Sequence, residues 1–300
     1  MGFRGWPVQG HADWVVLAPT VCPMTPDQYC QQKAAPRGSS CYYSFLFLPP
    51  GQRAAITALY AFCRELDGAV RESVDSGVAR VRLNWWRGEL CAVFDDRPQH
   101  PVGRALAVAV QQYGIPKAQL DEVIDGMQMD LDYNRYPDLA TLEIYCSRVS
   151  GAVALLSAEL LGYSDPATRQ YAHVLGIALR LTEIIRDVGQ DARRNRVYLP
   201  LDELTRFGLD SDDIVALRED ERFERLMVFQ IERARSYYDR ALSLLPAADR
   251  RAQRCGLVMA SIQCALLREV SALRGRTMHQ RVSLTPMRKL WIAWRTWVTA

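Results

Sequence analysis

From residue 24 onward the chain is a run of amphipathic helical patterns, which leaves room for little except an all-α fold. Apolar residues recur every three to four positions across 51–73, 76–95, 101–113, 116–134, 138–162, 165–191, 219–245 and 249–274. Pro, Gly, Asp and Ser punctuate the segments where helices start and stop. An earlier helix is predicted to begin at Pro26, with Thr25 as its N-cap and Asp27 and Gln28 in the first turn. The stretches 197–201 and 281–285 allow extended backbone, but no hairpin signal accompanies them. With no break in the helical sequence, residues 24–300 are expected to form one domain with its active residues on central helices. Residues 1–23, rich in Gly and Pro, are expected to be a disordered extension, or a start-codon artefact, ahead of a natural start at Met24.

Two helical faces carry chemistry. Asp187 and Asp191 stand four residues apart in LTEIIRDVGQDARRNRVYLP, so both carboxylates share one side of a helix. Leu181, Ile184, Ile185 and Val188 point to burial of that helix. Two buried carboxylates repel unless a cation lies between them, and a hard divalent ion bridging to phosphate would serve. Arg186, Arg193, Arg194 and Arg196 suit a phosphorylated substrate. An exposed acidic patch beside solvated arginines fits the same spacing.

In YAFCRELDGAVRE, residues Tyr60, Arg64, Asp67 and Arg71 fall in one narrow stripe, opposite Ala61, Phe62, Leu66 and Val70. This mixture favours a polar cavity over a solvated face, which usually mixes Lys and Glu. A further polar group, Asp125, Asp130 and Asp132, lies in DGMQMDLDYNRY. Ser150, Gly151, Ala152 and Ala154 allow either close helix packing or room for an apolar ligand.

Composition sets bounds. A 300-residue chain with 49% hydrophobic residues can bury a large core. Its net charge of +3 is too small to argue for nucleic acid, which is not an expected partner. Eight cysteines form no CxxC pairs and no metal-ligand spacing with the four histidines. Reduced core thiols and a cytoplasmic location are therefore expected. No run approaches the ~20 apolar residues of a membrane-spanning helix. The terminal RKLWIAWRTW spaces Trp291, Trp294 and Trp297 among Arg288, Lys289 and Arg295. This suits peripheral contact with a membrane interface, and equally a stripe packed on the core.

The segments SSCYYSFLFLPPGQRAAITALYAFCRELD, DGMQMDLDYNRY, YCSRVSGAVALL, IIRDVGQDARRNRVYLP and RVSLTPMRKLWIAWRTW together resemble the squalene/phytoene synthase family over residues 25–298. The resemblance is nearest to the bacterial presqualene diphosphate synthases of hopanoid biosynthesis. It implies an all-helical isoprenoid synthase bundle with a central cavity and head-to-head (1′–1) coupling of two farnesyl diphosphates. It implies magnesium, or manganese in its place, as cofactor. Carried over by position, Asp67, Asp187 and Asp191 match metal-binding aspartates, and Glu183 stands beside them as a candidate ligand. Ser40, Tyr60, Arg64, Arg186 and Arg281 match groups around the diphosphates. Tyr145 matches a tyrosine near the reacting carbons, and Val149 and Val153 match the pocket wall. NADPH, which full squalene synthases use, is not expected, because no GxGxxG fingerprint is present.

The chain also departs from the family pattern. Gly68 and Arg71 replace acidic residues, Arg180 and Glu183 stand where Gln and Asn are usual, and Gln263 replaces a tyrosine. Two roles are open for Arg71: an ion pair with Glu183 across the cavity, or a direct grip on diphosphate in place of a metal. A catalytically impaired paralogue that keeps isoprenoid binding is the alternative function. A synthase acting on a different prenyl chain length is another.

Overall fold

The computed structural model describes residues 24–73 and 75–300, so the expected extension over 1–23 lies outside the described residues. The first half comprises α1 (Pro26–Ala34), α2 (Ser40–Phe45), α3 (Pro50–Arg71), α4 (Ser76–Phe94), α5 (Pro101–Tyr113) and α6 (Lys117–Asp132). After these come α7 (Leu139–Cys146), a π-helical turn (Ser147–Gly151), α8 (Ala152–Leu161) and α9 (Ala167–Ala192). The chain ends with α10 (Leu201–Arg206), α11 (Ser211–Val215), α12 (Glu221–Leu244), α13 (Arg254–Ala272) and α14 (Pro286–Thr299). No strand forms among the described residues. The candidate extended stretch at 197–201 contributes only an isolated bridge between Arg135 and Val197.

Local chemistry explains the helix starts. Thr25 accepts from the Gln28 amide while the Gln28 side chain reaches back to the Thr25 amide, a reciprocal capping box. Proline occupies the first turn of α1, α3, α5 and α14, where a missing N–H costs nothing. α9 is the central helix, packed by α8, α12, α13 and the π turn. Its side chains are buried nearly all round between Tyr171 and Thr182.

The pattern over 138–162 reads as one helix but is divided by the π turn. Gly176 makes this junction possible: a Cβ there would lie 2.4 Å from the Ser150 carbonyl oxygen, so α9 can press its backbone against the turn. Tight packing and an open wall therefore coexist in this segment, since Val149, Ser150, Val153 and Ala154 line a cavity on its other side.

Two helical stretches, Leu139–Leu161 and Arg254–Ala272, do reach the length and apolar content of a membrane span, contrary to the reading of the sequence. Both supply cavity wall and core, and a helix buried on several sides carries apolar residues all round.

Candidate active site

A cavity of about 520 Å³ opens between α3 and α9, within the size range of small-molecule sites. The predicted stripe on α3 faces it: Tyr60, Arg64, Asp67 and Arg71 all line the wall. From α9 come Leu179, Arg180, Glu183, Arg186 and Asp187. Ser40 and Arg281 also reach it, as do Val149 and Val153. The charged residues lie toward the C-terminal halves of α3 and α9. At the other end, Tyr60, Ala154, Leu179 and Met259 are shared with a small apolar pocket that runs on toward Tyr171 and Leu175. The cavity is therefore charged at one end and greasy at the other.

Seven cationic side chains line it, against the four anionic ones of Asp67, Glu72, Glu183 and Asp187. The excess suits an anion carrying several negative charges. Burial pushes the Tyr60 hydroxyl well above the usual phenol range, so it stays a neutral hydrogen-bond donor.

Three of these carboxylates, Asp67, Glu183 and Asp187, are each paired with a guanidinium. Arg186 Nε donates to Asp187 Oδ1 at 2.9 Å, its Nη2 donates to Oδ2, and Arg281 Nε donates to Oδ1 at 3.0 Å. Burial opposes ionisation of Asp187, but Arg186 and then Arg281 hold its carboxyl below the usual range. Glu183 behaves alike: burial is outweighed by Arg180, Arg186 and Arg64.

Asp191 differs. It is 3% exposed and does not line the cavity, because Arg71 stands in front of it. Arg71 Nη1 donates to Asp191 Oδ1 at 2.9 Å, and Arg71 Nε lies 2.7 Å from Asp67 Oδ1. Burial pushes the Asp191 carboxyl up despite that partner. The expected pair between Arg71 and Glu183 is not formed. Glu183 instead takes Arg180 Nη1 at 3.0 Å, three residues along its own helix. Helix register decides this, since Arg180 and Glu183 share a face while Arg71 meets the next acidic turn of α9.

Tyr145 also stays behind the wall. It is fully buried, and Arg180 donates to its hydroxyl. Tyr136, Tyr145 and Tyr198 form a compact group with ring centroids 5.3–5.6 Å apart. Arg180 lies 5.1 Å over Tyr145 and 5.7 Å over Tyr198, and Arg71 lies 5.9 Å over Tyr198. Asp130 turns inward, accepting from the Tyr198 hydroxyl at 2.6 Å and pairing with Arg196 at 3.0 Å. Asp125 and Asp132 turn outward to Arg87 and Arg80 on α4.

Among the contributors that escaped the sequence reading are Met259 and Ile262 on α13, and Lys289 at the start of α14. Apolar positions on a helix look the same whether they meet other side chains or a cavity. Lys289 belongs to a basic run whose direction the spacing leaves open.

The family model for squalene/phytoene synthase matches residues 34–288. The chain belongs to that family. Family members condense prenyl diphosphates head to head. A phytoene synthase of Mycobacterium tuberculosis is 36% identical over 255 residues, covering 84% of each chain. A phytoene synthase of Arthrospira platensis is 36% identical over 241 residues, covering 74% of this chain and 78% of its own. Among solved structures, a dehydrosqualene synthase in complex with ligand superposes with a TM-score of 0.76 at 25% identity, covering 91% of this chain and 98% of its own. Squalene synthase HpnC of Alicyclobacillus acidocaldarius gives 0.72 at 23% identity, over 83% and 94% of the two chains. At that identity the likeness is one of fold.

The family uses divalent metal with its diphosphate substrates, and the residues present fit this in part. Among the described residues, no three His, Cys, Asp or Glu side chains stand together as a ligand set. Magnesium arriving with a diphosphate needs only one or two carboxylates, the phosphates and water supplying the rest. Asp187 can serve, because it faces the cavity and one of its partners, Arg281, has a side chain 61% exposed. The Asp67/Asp191 position does not fit, because Arg71 fills it.

Proposed function

We propose that this protein joins two farnesyl diphosphates head to head, releasing diphosphate and forming presqualene diphosphate. The observation that carries the reading is the polarity of the cavity. Fixed cationic groups at one end suit a diphosphate, and the apolar wall at the other suits a prenyl chain.

In this reading Arg186, Arg281 and Lys289 receive the phosphates, with Ser40, Tyr60 and Arg64 lining the wall around them. Magnesium held through Asp187, with Glu183 the next carboxylate along α9, would supply charge neutralisation of the leaving group when bound. Departure of diphosphate leaves an allylic cation, which Val149, Val153 and Met259 shield from water. The double bond of the second prenyl chain attacks that carbon, and loss of one proton closes the cyclopropane. Two substrates thus give one presqualene diphosphate, one diphosphate and one proton. Tyr145 acts through Arg180, whose guanidinium it orients. The exposed tryptophans of α14 fit contact with the cytoplasmic face of a membrane, beside the cavity that Lys289 lines.

Two other readings have an observation each. The phytoene synthase relatives favour a longer, C20 substrate. The pairing of every cavity aspartate with arginine favours a binding protein with little turnover.

The test is purified protein with farnesyl or geranylgeranyl diphosphate and magnesium, without reductant. Pyrophosphate release and the product mass are read together. A cyclopropyl C30 diphosphate is expected. A C40 product would establish the second reading. Substrate binding with no pyrophosphate released at high enzyme would establish the third.

A further inference from the structure

We propose that the Arg71 guanidinium stands where a divalent cation would otherwise join Asp67 to Asp191, so the site grips prenyl diphosphate without a metal ion at that position. The inference rests on reading the cavity as a prenyl diphosphate site.

Asp67 is on α3 and Asp191 on α9, and Arg71 touches both through different nitrogens. Two carboxylates brought together from facing helices need a cation between them. The cation here is covalently part of the chain. An incoming ion would have to displace a buried guanidinium that also lies over the Tyr198 ring. It would then find Asp191 behind the cavity wall rather than on it.

Asp187 makes the contrast. Its partner Arg281 lies on the irregular segment before α14 and is mostly exposed, so it can leave Asp187 for a phosphate. Arg71 has no such freedom, being wedged between two carboxylates and an aromatic ring. Arg180 extends the fixed charge along the same floor. It is 8% exposed, lies over Tyr145 and Tyr198, and its Nε has no hydrogen-bond partner among the described residues. Neither contact of Arg71 uses its Nη2. Two immobile guanidiniums therefore place fixed positive charge where a hydrated ion would have to be assembled, and arginine is a side chain suited to holding phosphate.

The experiment titrates the unreactive analogue farnesyl thiodiphosphate by calorimetry, in EDTA and in magnesium. The wild-type protein is expected to bind in EDTA within about tenfold of its affinity in magnesium. Arg71→Asp is expected to bind at least tenfold more weakly in EDTA and to recover with magnesium. Arg71→Gln is expected to lose the metal-free affinity without that recovery, which guards against misfolding of the first variant. Manganese titration by paramagnetic resonance, with the analogue bound, should count one more ion on Arg71→Asp than on the wild type. Equal ion counts on the two proteins, or an Arg71→Asp affinity in EDTA equal to that of the wild type, would overturn the inference and leave the substrate reading standing. No binding of the analogue in either buffer would remove the substrate reading and the inference together.

Discussion

Met278 lies so close to Gly189 that a Cβ on that glycine would stand 2.0 Å from the Met278 carbonyl oxygen. Gly189 sits between Asp187 and Asp191 on α9, so this contact belongs to the site as much as to the fold. Arg193 fastens it, donating to the Gly189 carbonyl at 2.9 Å and to the Met278 carbonyl at 3.0 Å. The segment after Met278 then carries Arg281 to Asp187. Gly189→Ala is expected to push the segment off α9, costing about 2–4 kcal/mol. It should also weaken binding of farnesyl thiodiphosphate at least ~10-fold, since Arg281 moves with the segment. Urea denaturation and calorimetry read the two effects, and unchanged values for both would refute the coupling.

Asp187→Asn keeps the shape of the side chain and removes its charge. Product formation is expected to fall about 100-fold, the scale typical for loss of one charge-stabilising group. Pyrophosphate binding in EDTA should not weaken, because Arg186 and Arg281 lose their internal partner and become available. Weaker metal-free binding together with full turnover would place the role of Asp187 in structure instead.

Much of this was legible from spacing. The start of α1 followed from Thr25 as N-cap and Pro26 after it, and the stripe from Tyr60 to Arg71 faces the cavity as its period implies. Partners were less legible. Arg71 had two acidic turns of α9 within reach, and only the register between α3 and α9 selects Asp191 over Glu183. Depth was hidden as well: Asp187 and Asp191 share a helix side, yet Arg71 covers one and leaves the other open. The π turn at Ser147–Gly151 escaped notice because its apolar residues keep a near-helical period. Its packing partner lies on another helix, at Gly176, where no side chain holds the turn away.

The C-terminal tryptophans divide between a packed side and an exposed side of α14. Trp297 packs against Phe47 with ring centroids 5.5 Å apart. Trp291 and Trp294 are 58% and 47% exposed, and Met287 and Val298 extend the same apolar stripe. Arg295 is exposed beside them. Aromatic and basic residues on one helix face partition to anionic interfaces. Trp291→Ala with Trp294→Ala should lower binding to phosphatidylglycerol vesicles at least ~10-fold while leaving the melting temperature unchanged, as exposed positions do. Equal sedimentation of both proteins with vesicles would exclude this face as the contact.

Asp249 ties the start of α9 to the turn before α13. Its carboxylate accepts from the Ser164 amide and hydroxyl, each at 2.7 Å, from the Asp165 amide at 3.0 Å, and from the Thr168 hydroxyl at 2.7 Å. Burial opposes its ionisation, yet the bonds from Ser164, Thr168 and Asp165 hold its carboxyl far below the usual range. A depressed folded-state pKa means the unfolded chain binds this proton first. The stabilisation is therefore complete above the unfolded carboxylate value of about 4 and is lost as pH falls below it. Asp249→Asn is expected to cost about 2–4 kcal/mol at pH 7, since it replaces a charged acceptor of four bonds. The penalty should shrink toward pH 3, where the wild type is losing what the variant never had. Urea denaturation of both proteins across pH 3–7 measures the difference, and a gap that stays constant with pH would show that the carboxylate charge is not what anchors α9.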